Sequence, residues 1–302
     1  MIKKLLFVIL ITISSAAISA EKISLVWGFS PASQHASNYR VLLSEVNRIQ
    51  SKYNFVIDVK PGAGGAIAAN HVLKNPNTTL TGASSTFFIR ANFDKTTGYN
   101  LNQFQPVIVQ SIGSPVALYS NKYQTLDNSK KSDSITIGMS GFGSHSNLLS
   151  TIFSNTYPNV RDVNYTSLVP ANIDAMGQHI DFAWDWLATS ESAVNAGKGH
   201  IIGITGIKSI KGYKTFSSQG IKGFEKASIN RAIFASVDMS PERLIEFHEL
   251  FKTANQLLQL KVLYEKDYAT PVSFSKDQAN AWYLDEAKFW TEQSNKVKPL
   301  KK

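Results

Sequence analysis

Short apolar runs of strand length alternate with stretches of helical periodicity along most of this chain, and no other feature narrows its fold as far. Ile23-Ser24-Leu25-Val26-Trp27 reads as a strand. A loop over 28–35 follows, then a helical stretch over 37–51 with Leu42, Leu43, Val46 and Ile49 on one face. Phe55-Val56-Ile57-Asp58-Val59 is a second strand, residues 66–73 a small-residue helix, and Thr79-Leu80-Thr81-Gly82-Ala83 a third strand. Strand, loop, helix, strand predicts a parallel sheet, because parallel neighbours need a long connection that a helix supplies.

The pattern restarts after Pro106. Val107-Ile108-Val109 and Val116-Ala117-Leu118-Tyr119 read as paired strands, and the polar stretch 121–134 as a crossing between domains. Residues 135–138 begin a second α/β unit, with its loop over 140–146 and a helix carrying Leu148, Leu149, Ile152 and Phe153. Strands are expected at 163–165, 180–184 and 200–205. Pro170 in a first turn and Gly177 after Met176 bracket a helix. Residues 232–237 return to the first domain, and Ser240-Pro241-Glu242 opens a long helix as N-cap, first position and first-turn acid. An amphipathic helix is expected over 276–295. The predicted class is α/β, with a discontinuous first domain over 21–122 and 229–302 and a second over 123–228. Two such open sheets make a cleft, and ligands sit at the carboxyl ends of their strands.

Met1-Ile2-Lys3-Lys4, an apolar run over 5–13 and small residues over 14–20 have the three-part layout of a secretory signal peptide, with cleavage expected near Ala20. The apolar run is short of the ~20 residues that span a bilayer. The remainder is expected in a bacterial periplasm. The chain has no Cys, which removes disulfides and a lipid-modified N-terminal Cys, so the core alone must hold the fold. A formal charge of +9 suits nucleic acid, a membrane surface or anionic small ligands. Export and scattered lysines favour a small anion, and no nucleic-acid partner is expected. Lys296, Lys298, Lys301 and Lys302 read as a solvated end.

Three loops join a strand to a helix start and are rich in small or hydroxyl residues. Unpaired N–H groups and the helix dipole make such a place an anion site without a cationic side chain. The first runs through Phe29, Ser33, Gln34, His35 and Ala36; the second holds Ser84, Ser85 and Thr86. The third is Ser140-Gly141-Phe142-Gly143-Ser144-His145-Ser146-Asn147, where Gly141 and Gly143 let backbone approach a ligand.

The catalytic and cofactor patterns do not fit. The third loop has Ser146 where a dinucleotide fingerprint needs its third Gly, and Asp162 precedes Val163 instead of following that strand. Phe142 occupies the Gly position a nucleophile elbow at Ser140 would need. The six histidines show no metal spacing. No cofactor, metal or catalytic residue is expected.

Lys60-Pro61-Gly62-Ala63-Gly64-Gly65 resembles the "RPGAGG" segment of the extracytoplasmic receptors of tripartite tricarboxylate transporters, the TctC or Bug type. The likeness runs over nearly the whole chain after residue 20. Residues 23–40 resemble that family's first strand and loop, and Ser140-Gly141-Phe142-Gly143-Ser144 its "SGNGS" loop. Val163-Asn164-Tyr165 with Val169-Pro170-Ala171 resembles "VPYKG–APA", and residues 177–181 resemble "GGQVD". Asp185 stands where the family has an acid after "DxxF", and residues 217–225 resemble "AEAGLPGYE".

The resemblance implies a type II periplasmic binding protein-like fold, two α/β domains around a ligand cleft, and a monomer. It implies a solute-binding protein, not an enzyme, that holds a small organic anion and delivers it to membrane permease subunits. Tyr165 and Asp185 join the ligand-binding residues through it. Two alternatives stay open: a sensor partner of a membrane signalling protein, and an exported hydrolase using Ser144 or Ser140. The chain departs from the family at Ala32-Ser33 and Ala36, where two glycines and an Asp are usual, and at His145 and Asn147. The missing acid at Ala36 disfavours a free amino acid. Trp27, Phe29, Phe87, Phe142, Trp184 and Trp186 lie at or near the expected strand ends, which favours a carboxylate with an apolar or aromatic body.

Overall fold

The structure is a computed structural model that describes residues 19–93, 97–129 and 133–295. Residues 1–18, most of the signal peptide expected over 1–20, and the Lys-bearing tail from 296 lie outside the described residues.

The chain opens as the alternation predicts: β1 (Glu21–Trp27), α1 (Gln34–Ile49), β2 (Tyr53–Val59), α2 (Ala66–Lys74) and β3 (Thr79–Ala83). β1 pairs in parallel with β2 and with β3. Its inward residues Ile23 and Leu25 are fully buried against Leu42 and Val46 of α1; each such apolar side chain contributes roughly 1.5–3 kcal/mol. α1 begins three residues before the expected 37, because the Ser33 hydroxyl accepts the Ala36 N–H and caps it there. The second serine-rich loop is shorter than expected, since α3 (Ser85–Phe93) starts inside it. That helix buries Phe87, Phe88 and Ile89.

β4 (Phe104–Ser114) and β5 (Val116–Ser120) do not pair, contrary to the expected hairpin. Only Pro115 separates them, and even the tightest common hairpin needs two loop residues. The chain therefore runs straight on, leaving one sheet and entering the other. β5 lies between β8 and β9 of a second sheet, so the polar stretch 121–134 follows a strand that already belongs there.

That sheet is built from α4 (Leu126–Ser129), β6 (Ile135–Met139), α5 (His145–Ser154), β7 (Val160–Asn164), α6 (Leu168–Met176), β8 (Phe182–Trp186), α7 (Leu187–Asn195) and β9 (His200–Ile204). Its strand order is β7-β6-β8-β5-β9, parallel around β6 and antiparallel around β5. The Ser144 hydroxyl caps α5 by accepting the Asn147 N–H.

The chain then returns with β10 (Ile229–Ser236), α8 (Pro241–Asn255), α9 (Leu258–Lys266), β11 (Thr270–Pro271) and α10 (Lys276–Ser294). The first sheet reads β11-β4-β10-β3-β1-β2. β10 is antiparallel to both β3 and β4, so this sheet is mixed and not purely parallel. Ser240 caps α8 with Pro241 at its first position, as the local signal predicts. One continuous apolar cluster joins the two sheets, running from Phe88 and Phe234 through Trp290 of α10 to Trp184 and Phe216.

Candidate functional site

Five helices begin at one cavity of about 280 Å³. Ser33, Gln34 and His35 bring the cap and first turn of α1, and Ser84 and Thr86 the start of α3. His145 and Ser146 open α5. Ser167, Leu168 and Val169 open α6, and Trp186 and Thr189 the start of α7. Each helix follows a strand, so its first-turn N–H groups have no acceptor within the helix and its positive dipole end faces the cavity. Among the described residues no Lys or Arg lines this space. Backbone N–H groups and hydroxyls are the donors it can offer an anion.

The expected residues divide into two groups. Phe29, Ser33, Gln34, His35, Ser84, Thr86, His145, Ser146 and Asp185 line the cavity. The others lie behind it. Ala36 is buried in the first turn of α1, and Ser85 is buried at the start of α3. Gly141, Phe142 and Gly143 form a strap outside the lining, held where Arg90 Nη1 donates to the Phe142 carbonyl at 3.0 Å. Ser144 is spent on capping α5. Asn147 accepts the Gly143 N–H at 3.1 Å and donates to Asp162 Oδ2 at 3.2 Å. Tyr165 donates its hydroxyl to Asp174 Oδ2 at 2.6 Å.

Sequence reasoning named Trp186 but did not pick out Thr189 or the α6 contribution. Pro170 marked the start of α6, but a helix start carries no sign of what it faces. Thr189 has no local signature. Val116 and Ile229 line the cavity because the chain passes between the sheets next to each of them. Ser30, Ala32 and Ser140 complete the loops around expected residues.

Aromatic rings from both sheets form the walls. The His35 ring lies 5.3 Å from Trp27 and 4.5 Å, edge-on, from Trp186. Trp27 Nε1 donates to the Ser30 carbonyl and to Ser33 Oγ, both at 3.2 Å. Behind Trp186 stands Arg231, fully buried, 4.7 Å from that ring. It pairs with Asp267 Oδ2 at 2.6 Å and donates to Ser111 Oγ at 3.1 Å.

Burial, then the nearby Arg231 charge, holds the His35 imidazole well below its ordinary pKa. Burial likewise brings His145 down to about 4, against the contrary pull of the Ala227 carbonyl. The Nε2 atoms of both rings are buried without a hydrogen-bond partner. Burial raises Asp185 to about 7, against the Trp186 N–H that donates to its Oδ1 at 2.7 Å. Asn172 Nδ2 donates to its Oδ2 at 2.6 Å. At neutral pH the cavity thus carries two uncharged imidazoles and one carboxyl near its midpoint.

The serine hydroxyls of the third loop bond to one another: Ser146 Oγ lies 3.1 Å from Ser140 Oγ and 3.0 Å from Ser144 Oγ. Among the described residues no group of three or more His, Cys, Asp or Glu is placed to hold a metal ion. The arrangement is suited to binding an anion through N–H and O–H donors.

No protein-family model and no curated protein matches the chain by sequence. Solved structures do match in shape. The periplasmic binding protein BugD superposes with a TM-score of 0.80 at 19% identity, over 91% of this chain and 97% of that one. A protein from R. palustris solved with adipate gives 0.81 at 20% identity, with the same coverage. MatC from Rhodopseudomonas palustris with bound malate gives 0.79 at 16% identity, over 91% of this chain and 99% of that one. The fold is that of the periplasmic binding proteins.

Proposed function

We propose that this chain is a periplasmic solute-binding protein that holds a small carboxylate in the cavity between its two sheets and delivers it to membrane permease subunits. The observation that carries this is the convergence of five helix starts on a cavity without a lining cation. Each helix end contributes roughly 0.3–2 kcal/mol toward a buried negative charge. The structural neighbours with bound adipate and malate support a carboxylate.

In this reading the two sheets are the cores of two domains. The first is discontinuous, and the change of strand membership at Pro115 supports a first crossing there. The ligand-binding residues are Ser33, Gln34, His35, Ser84, Thr86, His145, Ser146 and Asp185, with Ser140, Ser167 and Thr189 added. The protein acts as a monomer after loss of its leader. The engagement of Ser140 and Ser144 with Ser146, and of Ser144 with the α5 cap, supports binding over hydrolysis.

A thermal-shift screen of organic acids tests the proposal. A ligand at ~100 times its dissociation constant adds about 2.7 kcal/mol of stability. Stabilisation by sugars or cations, with no mono-, di- or tricarboxylate effective, would reject it.

A further inference from the structure

We infer that Asp185 makes ligand capture proton-coupled: the carboxylate ligand enters together with one proton from solvent, which Asp185 then holds and donates to a ligand carboxylate oxygen. This inference rests on the carboxylate-binding proposal and adds a proton stoichiometry to it.

The charge inside the cavity carries the argument. Asp185 is a carboxyl on the wall of a space that receives a second carboxylate, and among the described residues no Lys or Arg lines that space. Asp185 is 7% exposed, so bulk water does little to screen the pair. Two carboxylates in one buried site do not both stay ionised without a cation; one of them keeps a proton. Asp185 Oδ1 accepts the Trp186 N–H at 2.7 Å and Oδ2 accepts Asn172 Nδ2 at 2.6 Å. Protonation turns this carboxyl from a pure acceptor into a donor, and a donor is what an incoming carboxylate oxygen needs.

The elements packed around Asp185 do not supply the missing positive charge. β5 brings Tyr119, and β6 brings no titratable residue. On α6 the titratable group is Asp174, engaged by the Tyr165 hydroxyl. On α7 it is Glu191, engaged by Tyr268 and Lys211. Arg231 stands behind the Trp186 ring and is matched by Asp267. His35 and His145 are buried and uncharged at neutral pH. Burial already favours the neutral acid at Asp185 over the contrary pull of the Trp186 N–H. With Asp185 neutral, the helix starts serve a single negative charge, that of the ligand.

The test is calorimetry on the full chain without its leader, with hexanoate, benzoate, adipate, malate and citrate as probes. Each is titrated in buffers of different ionisation enthalpy, so that the protons taken up are counted. For a probe that binds, uptake should be near zero at about pH 5 and approach about one proton per ligand at about pH 8.5. Affinity should fall by up to about tenfold per pH unit above about pH 7. Asp185→Asn should bind with little uptake and with an affinity that changes less than about threefold over the same range. Uptake that survives in this variant puts the proton on His35, His145 or the ligand and overturns the inference. Binding to the parent without uptake at the higher pH, or with proton release, overturns it as well, needs no variant, and leaves the carboxylate proposal standing. No binding of any probe overturns both.

Discussion

Arg231 of the first sheet places its guanidinium 4.7 Å from the ring of Trp186, the last strand residue of β8 in the second sheet. The contact ties the two sheets together directly behind the cavity. It depends on a buried charge, and the Asp267 carboxylate at 2.6 Å is what makes that charge tolerable. Asn38 Nδ2 donates to the same carboxylate oxygen at 3.0 Å, so the pair sits in a small polar network inside an aromatic cage.

Removing one member of this pair should cost far more than removing both. Arg231→Met leaves the Asp267 charge buried and uncompensated, a loss of about 3–5 kcal/mol. Arg231→Met combined with Asp267→Leu should recover most of it. Urea unfolding of the two variants decides the matter, and a single variant within 1 kcal/mol of the parent would contradict the account.

Asp185 should make the protein less stable as pH rises. Its folded pKa of about 7 lies above the ordinary 3.8, so the folded state keeps a proton that the unfolded state gives up between those values. Stability from this group is full below about pH 4 and declines toward pH 7. At about 1.4 kcal/mol per unit, the decline amounts to a few kcal/mol. Asp185→Asn removes the slope, so the variant should gain on the parent between pH 5 and pH 8 in thermal melts. A constant difference across that range would count against a raised pKa.

His145 should act in the opposite direction. Its folded pKa of about 4 lies below the ordinary 6.5, so the unfolded state takes up a proton first as pH falls. The contribution is full above about pH 6.5 and is lost toward pH 4. His35 adds to the same trend through its own lowered pKa. His145→Gln should therefore lose less melting temperature than the parent between pH 7.5 and pH 5. Equal losses would contradict the buried, uncharged imidazole.

Gly28 sits where the first loop meets the glycine-rich turn. A Cβ there would lie 2.6 Å from the Gly65 Cα and 3.2 Å from the Ala68 Cβ. Backbone must shift to admit it, at a cost of about 1–3 kcal/mol. Phe29 rests on that turn and lines the cavity, so Gly28→Ala should weaken ligand binding as well as stability. A variant with both properties unchanged would mean that the turn adapts freely.

Local chemistry made some features legible in advance. The caps at Ser33 and Ser144 came out only in the structure, whereas Ser240-Pro241 before α8 is a cap whose effect spans three residues, so it was read from sequence as it stands in the fold. The same holds for the strand and helix periodicities that assign the α/β class. Because helices following strands start at carboxyl ends, the loops at Ser33, Ser84 and Ser146 could be placed at a cleft before any coordinates.

Strand pairing and burial were beyond such reading. β4 and β5 look like a hairpin as strings, and only the single intervening Pro115 and the distant partners β8 and β9 show that they part. His35 and His145 could be assigned to loops, but their neutrality comes from burial against Trp186 and Trp290, which are far away in sequence. Arg231 carries no sequence signature at all; its role arises because residues 36 and 45 positions away, Asp267 and Trp186, meet it in space. By itself the sequence determined the elements and their caps, since those are settled by interactions within a few residues. Only the tertiary structure decided which five helix starts share one cavity and which buried charge backs its wall, because desolvation and pairing depend on what the rest of the chain brings alongside.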